Sequence, residues 1–145
     1  MLQAASWQVV THKESLIQPL TTSEVKYLFT EGRVQGYAPE LIDLAEESLR
    51  ASFYQTVLNI SLNRWRANWA KRVFSGTQQL PKQLTLDYVV QYLATNPNAV
   101  AYLPDYVILP VTLKVIYCDP REIPVMGQQT CPTELLRIKQ LRNQE

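Results

Sequence analysis

Leu20-Thr21-Thr22-Ser23-Glu24-Val25-Lys26-Tyr27-Leu28-Phe29-Thr30-Glu31-Gly32-Arg33 is the stretch on which the fold turns. Thr21, Thr22 and Ser23 offer side-chain oxygens to the unpaired amides of a helix start, and Glu24 sets a carboxylate in the positive first turn. Val25, Leu28 and Phe29 recur at i, i+3 and i+4, which makes one apolar stripe. Gly32 accepts the left-handed backbone that ends a helix. The segment predicts an amphipathic helix that needs a surface to cover. Upstream, Trp7 to Thr11 alternates and is rich in strand formers, so it reads as a first strand, with the polar His12-Lys13-Glu14-Ser15 as the loop after it.

Downstream the same reasoning gives more helices and two more strands. Tyr37 to Leu44 is short, contains proline and reads as extended. Ala45 to Asn59 is a second helix with Leu49, Phe53, Val57 and Ile60 on its apolar side. Ser61 is the N-cap of a third helix through Phe74, in which Leu62, Trp65, Trp69 and Val73 follow helical spacing, and Gly76 ends it. Gln78 to Lys82 reads as a loop around Pro81. Thr85 to Ala94 is a fourth helix, closed by Asn96-Pro97-Asn98. Ala99 to Leu103 and Thr112 to Tyr117 read as strands, with Pro104 and Pro110 bracketing their connection. Thr133 to Asn143 predicts a terminal helix with a basic outer face. Strands early and late in the sequence, with helices between them, predict an α/β architecture: a small mixed sheet flanked by helices.

Composition excludes several function classes. Of 145 residues, 46% are hydrophobic and 19% charged, too apolar for a disordered chain. A chain this long buries about two thirds of its unfolded surface, so it folds without a metal. Fourteen Lys and Arg face 13 Asp and Glu, a formal net charge of +1, which creates no global field for nucleic acid or anionic lipid. No stretch reaches the length and apolarity of a membrane-spanning helix. The first residues, Met1 to Ser6, carry neither a basic n-region nor an apolar core, so an intact secretory signal is not expected here: either the chain is cytosolic or a signal has been removed.

Catalytic patterns are scarce. Four glycines and no Gly-x-Gly-x-x-Gly or Walker loop leave little to cradle phosphates. His12 is the only histidine; in a polar loop beside Ser15, without an acid partner, it reads as a solvated side chain. It also lies far from Cys118 and Cys131, so no Cys/His metal set assembles locally. Those two cysteines flank a loop containing proline and glycine. They either close a disulfide, worth about 3 kcal/mol over so short a loop, or stay as two thiols. Asp43, Glu46 and Glu47 cluster at a helix start, where acids complement the helix dipole. Arg64, Arg66, Lys71 and Arg72 interleave with Trp65 and Trp69; helical spacing separates an aromatic core stripe from a solvated basic face, so nucleic-acid binding is not expected.

Four segments, in order, resemble the phosphate-type substrate-binding proteins of ABC transporters, and short, one-lobe members in particular. Leu20 to Arg33 is similar to that family's capped helix ending in a Phe and a Gly. Arg50-Ala51-Ser52-Phe53-Tyr54-Gln55-Thr56-Val57-Leu58 resembles its Arg-x-x-Phe-x-x-x-Val-Leu helix. Trp65 and Trp69, then Phe74-Ser75-Gly76 and Pro81, resemble its Trp…Phe-x-Gly…Pro run. Asn96-Pro97-Asn98-Ala99-Val100-Ala101-Tyr102-Leu103 resembles its Pro-Gly-Ala-Ile-Gly-Tyr strand entry. The likeness spans roughly residues 7 to 117, within one expected domain over 1–145 whose tail, 118–145, carries the terminal helix.

The resemblance implies one lobe of a type II periplasmic-binding-protein-like fold. It also implies a periplasmic or extracellular setting with the signal peptide removed, a non-enzymatic role, and no cofactor or metal. The phosphate ligands of the family do not carry over. Where its Ser-Gly-Thr falls this chain has Glu47, Ser48 and Leu49, and Asp43 stands where its Arg falls. Arg forks donors toward phosphate, whereas ionised Asp and Glu offer negative charge and no donor. The implied function is a module for protein interaction or sensing, with Thr11, His12, Ser15, Ser48 and Arg50 as ligand-contact candidates along one edge. The alternative is a small-solute binder for phosphate or another anion serving a transporter, using Ser48, Arg50 and second-helix amides.

Overall fold

The computed structural model describes residues 6–76 and 78–119. Strand β1 (Trp7–His12) is buried at every position, so it needs neighbours on both edges and cover on both faces. It lies between β4 (Ala99–Pro104) and β5 (Leu113–Asp119), antiparallel to each, with a register slip against β5 between Val9 and Val10. Beyond β4 come β2 (Glu40–Leu44) and β3 (Lys82–Leu84), giving the order β3-β2-β4-β1-β5. β2 is parallel to both β3 and β4, so β1 alone runs against the other four.

That arrangement is the expected mixed α/β sheet flanked by helices. The residues 37–44 expected to be extended contribute β2. β3 replaces part of the expected 78–82 loop: exposed, polar Lys82 and Gln83 followed by half-buried Leu84 are too short a run to give a periodic signal, and the pairing with β2 makes them a strand. The expected terminal helix over 133–143 lies outside the described residues.

The helices take opposite faces of the sheet by strand alternation. Asp43 and Tyr102 point to the face covered by α1 (Thr22–Glu31), α2 (Glu47–Phe53) and α3 (Leu62–Phe74). Glu40 and Lys82 point to the other face and meet Tyr92 of α4 (Leu86–Thr95). α1 starts with a full capping box: Thr21 Oγ1 accepts from Glu24 N–H at 3.1 Å, and Glu24 accepts from Thr21 N–H at 2.9 Å. It stops at Gly32, with φ +82°. A Cβ at Gly32 would collide with the Gln78 amide and press the Trp69 ring at 3.2 Å.

An aromatic cluster joins the first face to the sheet. Phe53 stacks on Tyr102 at 4.0 Å and 3°, with Trp7 and Phe29 edge-on around the pair. Trp65 and Trp69 both donate their indole N–H to the Phe29 carbonyl, at 2.9 and 3.0 Å. That carbonyl is among the last four of α1 and lacks a helical partner, so the two tryptophans close one helix end while fixing α3 against it. The second helix departs from the expected continuous 45–59 run. It changes at Tyr54 into a π-helical turn over Tyr54–Leu58 and ends at Asn59 in the left-handed conformation, with φ +54°. Within this wider turn Tyr54, Val57 and Leu58 are all buried.

Candidate functional site

In open α/β sheets ligands sit outside the carboxyl ends of the parallel strands. Here the ends of β2, β3 and β4 deliver three loops, 45–47, 85–87 and 105–107, to one edge. Glu46, Thr85, Leu86, Asp87, Val90 and Val107 line a shallow hollow of about 610 Å³ there. These loops carry Glu46, Glu47, Asp87 and Asp105 and no Lys or Arg. The edge therefore presents acceptors and negative charge to solvent.

The donors that could answer an anion are occupied from within. Glu46 reaches across from the start of α2 and accepts from Leu86 N–H with both oxygens, at 3.2 and 3.0 Å. It supplies the carboxylate that a helix N-terminus favours. Thr85, the local cap position, turns its hydroxyl to Asp87 at 2.7 Å instead.

Beneath the edge lies a second closed set. Arg50 of α2 and Asp43 of β2 are buried, at 4% and 2% exposure. Arg50 donates from Nε and its terminal nitrogen to Asp43 Oδ2, both at 3.0 Å. Asp43 Oδ1 accepts from Leu44 N–H at 3.0 Å and from the Tyr102 hydroxyl. The guanidinium also lies over Tyr54 and Trp65, at 5.9 and 5.6 Å from the ring centres. Burial acts to discharge Arg50, and the Asp43 charge and hydrogen bond more than offset it, so the guanidinium is held more firmly protonated than usual. Burial first, and neighbouring charge second, push the Tyr54 and Tyr102 hydroxyls well above the usual phenol range. At neutral pH the cluster is thus an ion pair clasped by two neutral phenols, with no net charge to offer.

The five expected contact residues do not converge. Arg50 and Ser48 belong to the carboxyl-edge end, Arg50 buried and Ser48 exposed. Thr11, His12 and Ser15 lie at the far end of β1, about 17 Å away over five strand steps. Each of these three has a local structural task. Thr11 donates to the Ala99 carbonyl at 2.9 Å, His12 Nδ1 accepts from Glu14 N–H at 3.1 Å, and Ser15 Oγ accepts from Ile17 N–H at 3.2 Å. His12 is also not the solvated loop residue expected: it is the last residue of β1 and only 9% exposed. The antiparallel register of β1 against β4, and the parallel register of β4 against β2, decide this split, and no local pattern carries that information.

Asp43 is the residue whose role the sequence obscured. At a helix start it read as a dipole-complementing acid, yet it is the last but one residue of β2 and sits under the helix as Arg50's counter-ion. The hint was an Asp in an otherwise apolar strand, Leu41-Ile42-Asp43-Leu44, seven residues before an Arg on a buried face. Cys118 is disulfide-bonded; its expected partner, Cys131, lies outside the described residues. Among the described residues no group of three or more His, Cys, Asp or Glu is placed to hold a metal ion, and no helix is long and apolar enough to cross a membrane.

The class these features define is a one-sheet mixed α/β fold with helices on both faces, and solved structures share it. The chain has the fold of phosphate ABC transporter substrate-binding proteins. It superposes on a putative phosphate ABC transporter substrate-binding protein with bound phosphate from Clostridium perfringens with a TM-score of 0.59 and 14% identity, covering 95% of this chain and 53% of that one. An ABC-type phosphate transport receptor from Vibrio cholerae aligns with a TM-score of 0.49 and 6% identity, over 97% of this chain and 64% of that one. The chain thus spans between about half and two thirds of these relatives' length. No family model and no curated protein sequence matches it.

Proposed function

We propose that this chain is a non-enzymatic binding-protein-like module, of a periplasmic or extracellular protein, that acts through protein interaction or sensing rather than tight capture of phosphate. The observation that carries this reading is the closure of Arg50 by Asp43. The buried guanidinium, a group suited to fork donors onto phosphate, already commits two of its nitrogens to one oxygen of an internal carboxylate. A phosphate would have to displace that carboxylate or lie beside it, and either costs charge repulsion in a site with little water. Glu46 on the α4 amide and the acidic edge loops act in the same direction.

The test is thermal unfolding in phosphate-free buffer, with and without millimolar phosphate, sulfate and nitrate. A ligand at a hundred times its Kd adds about 2.7 kcal/mol, which moves the Tm of a chain this size by roughly 5–10 °C. A flat response is the expected outcome. A shift of several degrees with phosphate alone would overturn the reading and make the chain a small-anion-binding component associated with an ABC transporter.

A further inference from the structure

The third helix carries more apolar surface than the core uses. Trp65 and Trp69 are buried, but the stripe they belong to continues to Val73, 41% exposed, and the helix ends beside it at Phe74, 94% exposed. Leu80, 58% exposed, faces them from the segment leading into β3. Between the two runs lies a cleft of about 340 Å³, with Trp65 at its base and Ala70, Val73, Phe74, Leu80 and Pro81 as walls. It is concave, of ligand-pocket size, and mostly apolar.

The charge around it is one-sided. α3 carries Arg64, Arg66, Lys71 and Arg72 and no acid; Arg72 pairs with Glu31 of α1 at 3.7 Å, and Arg66 is the member of the set that lines the cleft. The carboxylate partner of Arg66 among the described residues, Glu47, is 68% exposed at 3.2 Å, a pair that solvent screens and that exchanges at little cost. Gln83, on the same side of β3, adds an amide.

We propose that this cleft is a docking site for a protein segment that inserts one large apolar side chain and carries acidic residues beside it. The proposal deepens the interaction reading above and rests on it. Apolar anchors that fill a preformed pocket inside a charged rim carry most of the energy of such contacts. The rim charge sets partner choice and association rate. A membrane surface is the weaker fit, because a flat bilayer meets convex apolar ridges and leaves a concave cleft unfilled.

The test pans a displayed library of short random peptides against the full chain. Enriched peptides should pair an aromatic or large aliphatic residue with Asp or Glu, and their binding should weaken as salt rises. Phe74→Asp and Leu80→Asp should each weaken it roughly tenfold or more. Both side chains are exposed, so Tm should hold in these variants. Arg66→Glu with Lys71→Glu should reverse the preference toward Lys- and Arg-bearing peptides. The proposal is overturned by no enrichment above the naive library, by enriched peptides that bind Phe74→Asp as well as the parent, or by wild-type protein that sediments with phosphatidylglycerol vesicles and is released by Phe74→Asp while no peptide binds. Phosphate titration of the same preparation separates the two readings. A phosphate response overturns the interaction module itself, and a flat one with no peptide removes only this docking site.

Discussion

Asp43→Asn is the perturbation that most directly probes how the buried cluster is held. The substitution keeps the shape of the side chain and one oxygen, which can still accept from Tyr102 or from Leu44 N–H. It removes the charge that Arg50 meets at 3.0 Å through two nitrogens. An amide nitrogen then faces either the guanidinium or the other two donors, and neither arrangement is satisfied. Removing one partner of a buried pair costs about 3–5 kcal/mol, because the remaining charge stays buried and uncompensated. With an unfolding entropy of about 0.3 kcal/mol/K for a chain of this length, Tm should fall by about 10–15 °C. Urea unfolding at pH 7 under non-reducing conditions reads the free energy, and an unchanged m-value confirms that the native state has not loosened. Adding Arg50→Met to Asp43→Asn removes the orphaned charge and should recover at least half of the loss. The single variant should also gain stability from millimolar phosphate where the parent does not, because its guanidinium then lacks an internal anion. A cost below about 1 kcal/mol, or no recovery in the double variant, would refute the view that Arg50 is held by Asp43.

Three further outcomes follow from the same structure. Tyr54 and Tyr102 titrate well above their unfolded value near 10, so the native state keeps protons that the unfolded chain releases. Stability is fully present below about pH 10 and should fall above it by up to about 1.4 kcal/mol per pH unit for each tyrosine; denaturation series from pH 8 to alkaline conditions, with Tyr102→Phe halving the slope, check this. Gly32→Ala forces a side chain into φ +82° against Gln78 and Trp69 and should cost about 1–2 kcal/mol by urea unfolding. Glu46→Ala uncaps Leu86 N–H and should cost about 1 kcal/mol, with faster amide exchange confined to the first turn of α4.

Much of the secondary structure was legible because its causes are local. The Thr21–Glu24 capping box, the Val25-Leu28-Phe29 stripe and the Gly32 stop act within a few residues of one another, and α1 forms where they say. The same holds for Ser61 accepting from Arg64 N–H at the start of α3. The tryptophan stripe was read as core and its first half is core. Its continuation to Val73, like the neighbouring Phe74, is exposed because among the described residues no element packs over the C-terminal end of α3, and helical spacing cannot tell a covered stripe from an uncovered one.

The sequence by itself determined where α1 and α3 start and which strands are apolar enough to be central, and it put Asp43, Glu46 and Glu47 close together along the chain. Only the tertiary structure decided what those acids do. Strand pairing sets Asp43 beneath α2 rather than at its tip, so a residue that sequence reads as repelling an anion serves as the anion for Arg50. Chain crossing brings Glu46 to Leu86, forty residues on, and leaves the local cap Thr85 free for Asp87. Register along β1 sends Thr11, His12 and Ser15 to the edge opposite Ser48 and Arg50. Caps and stripes depend on spacing along the chain. Counter-ions, borrowed caps and shared edges depend on which distant strands become neighbours, and that is a property of the folded sheet.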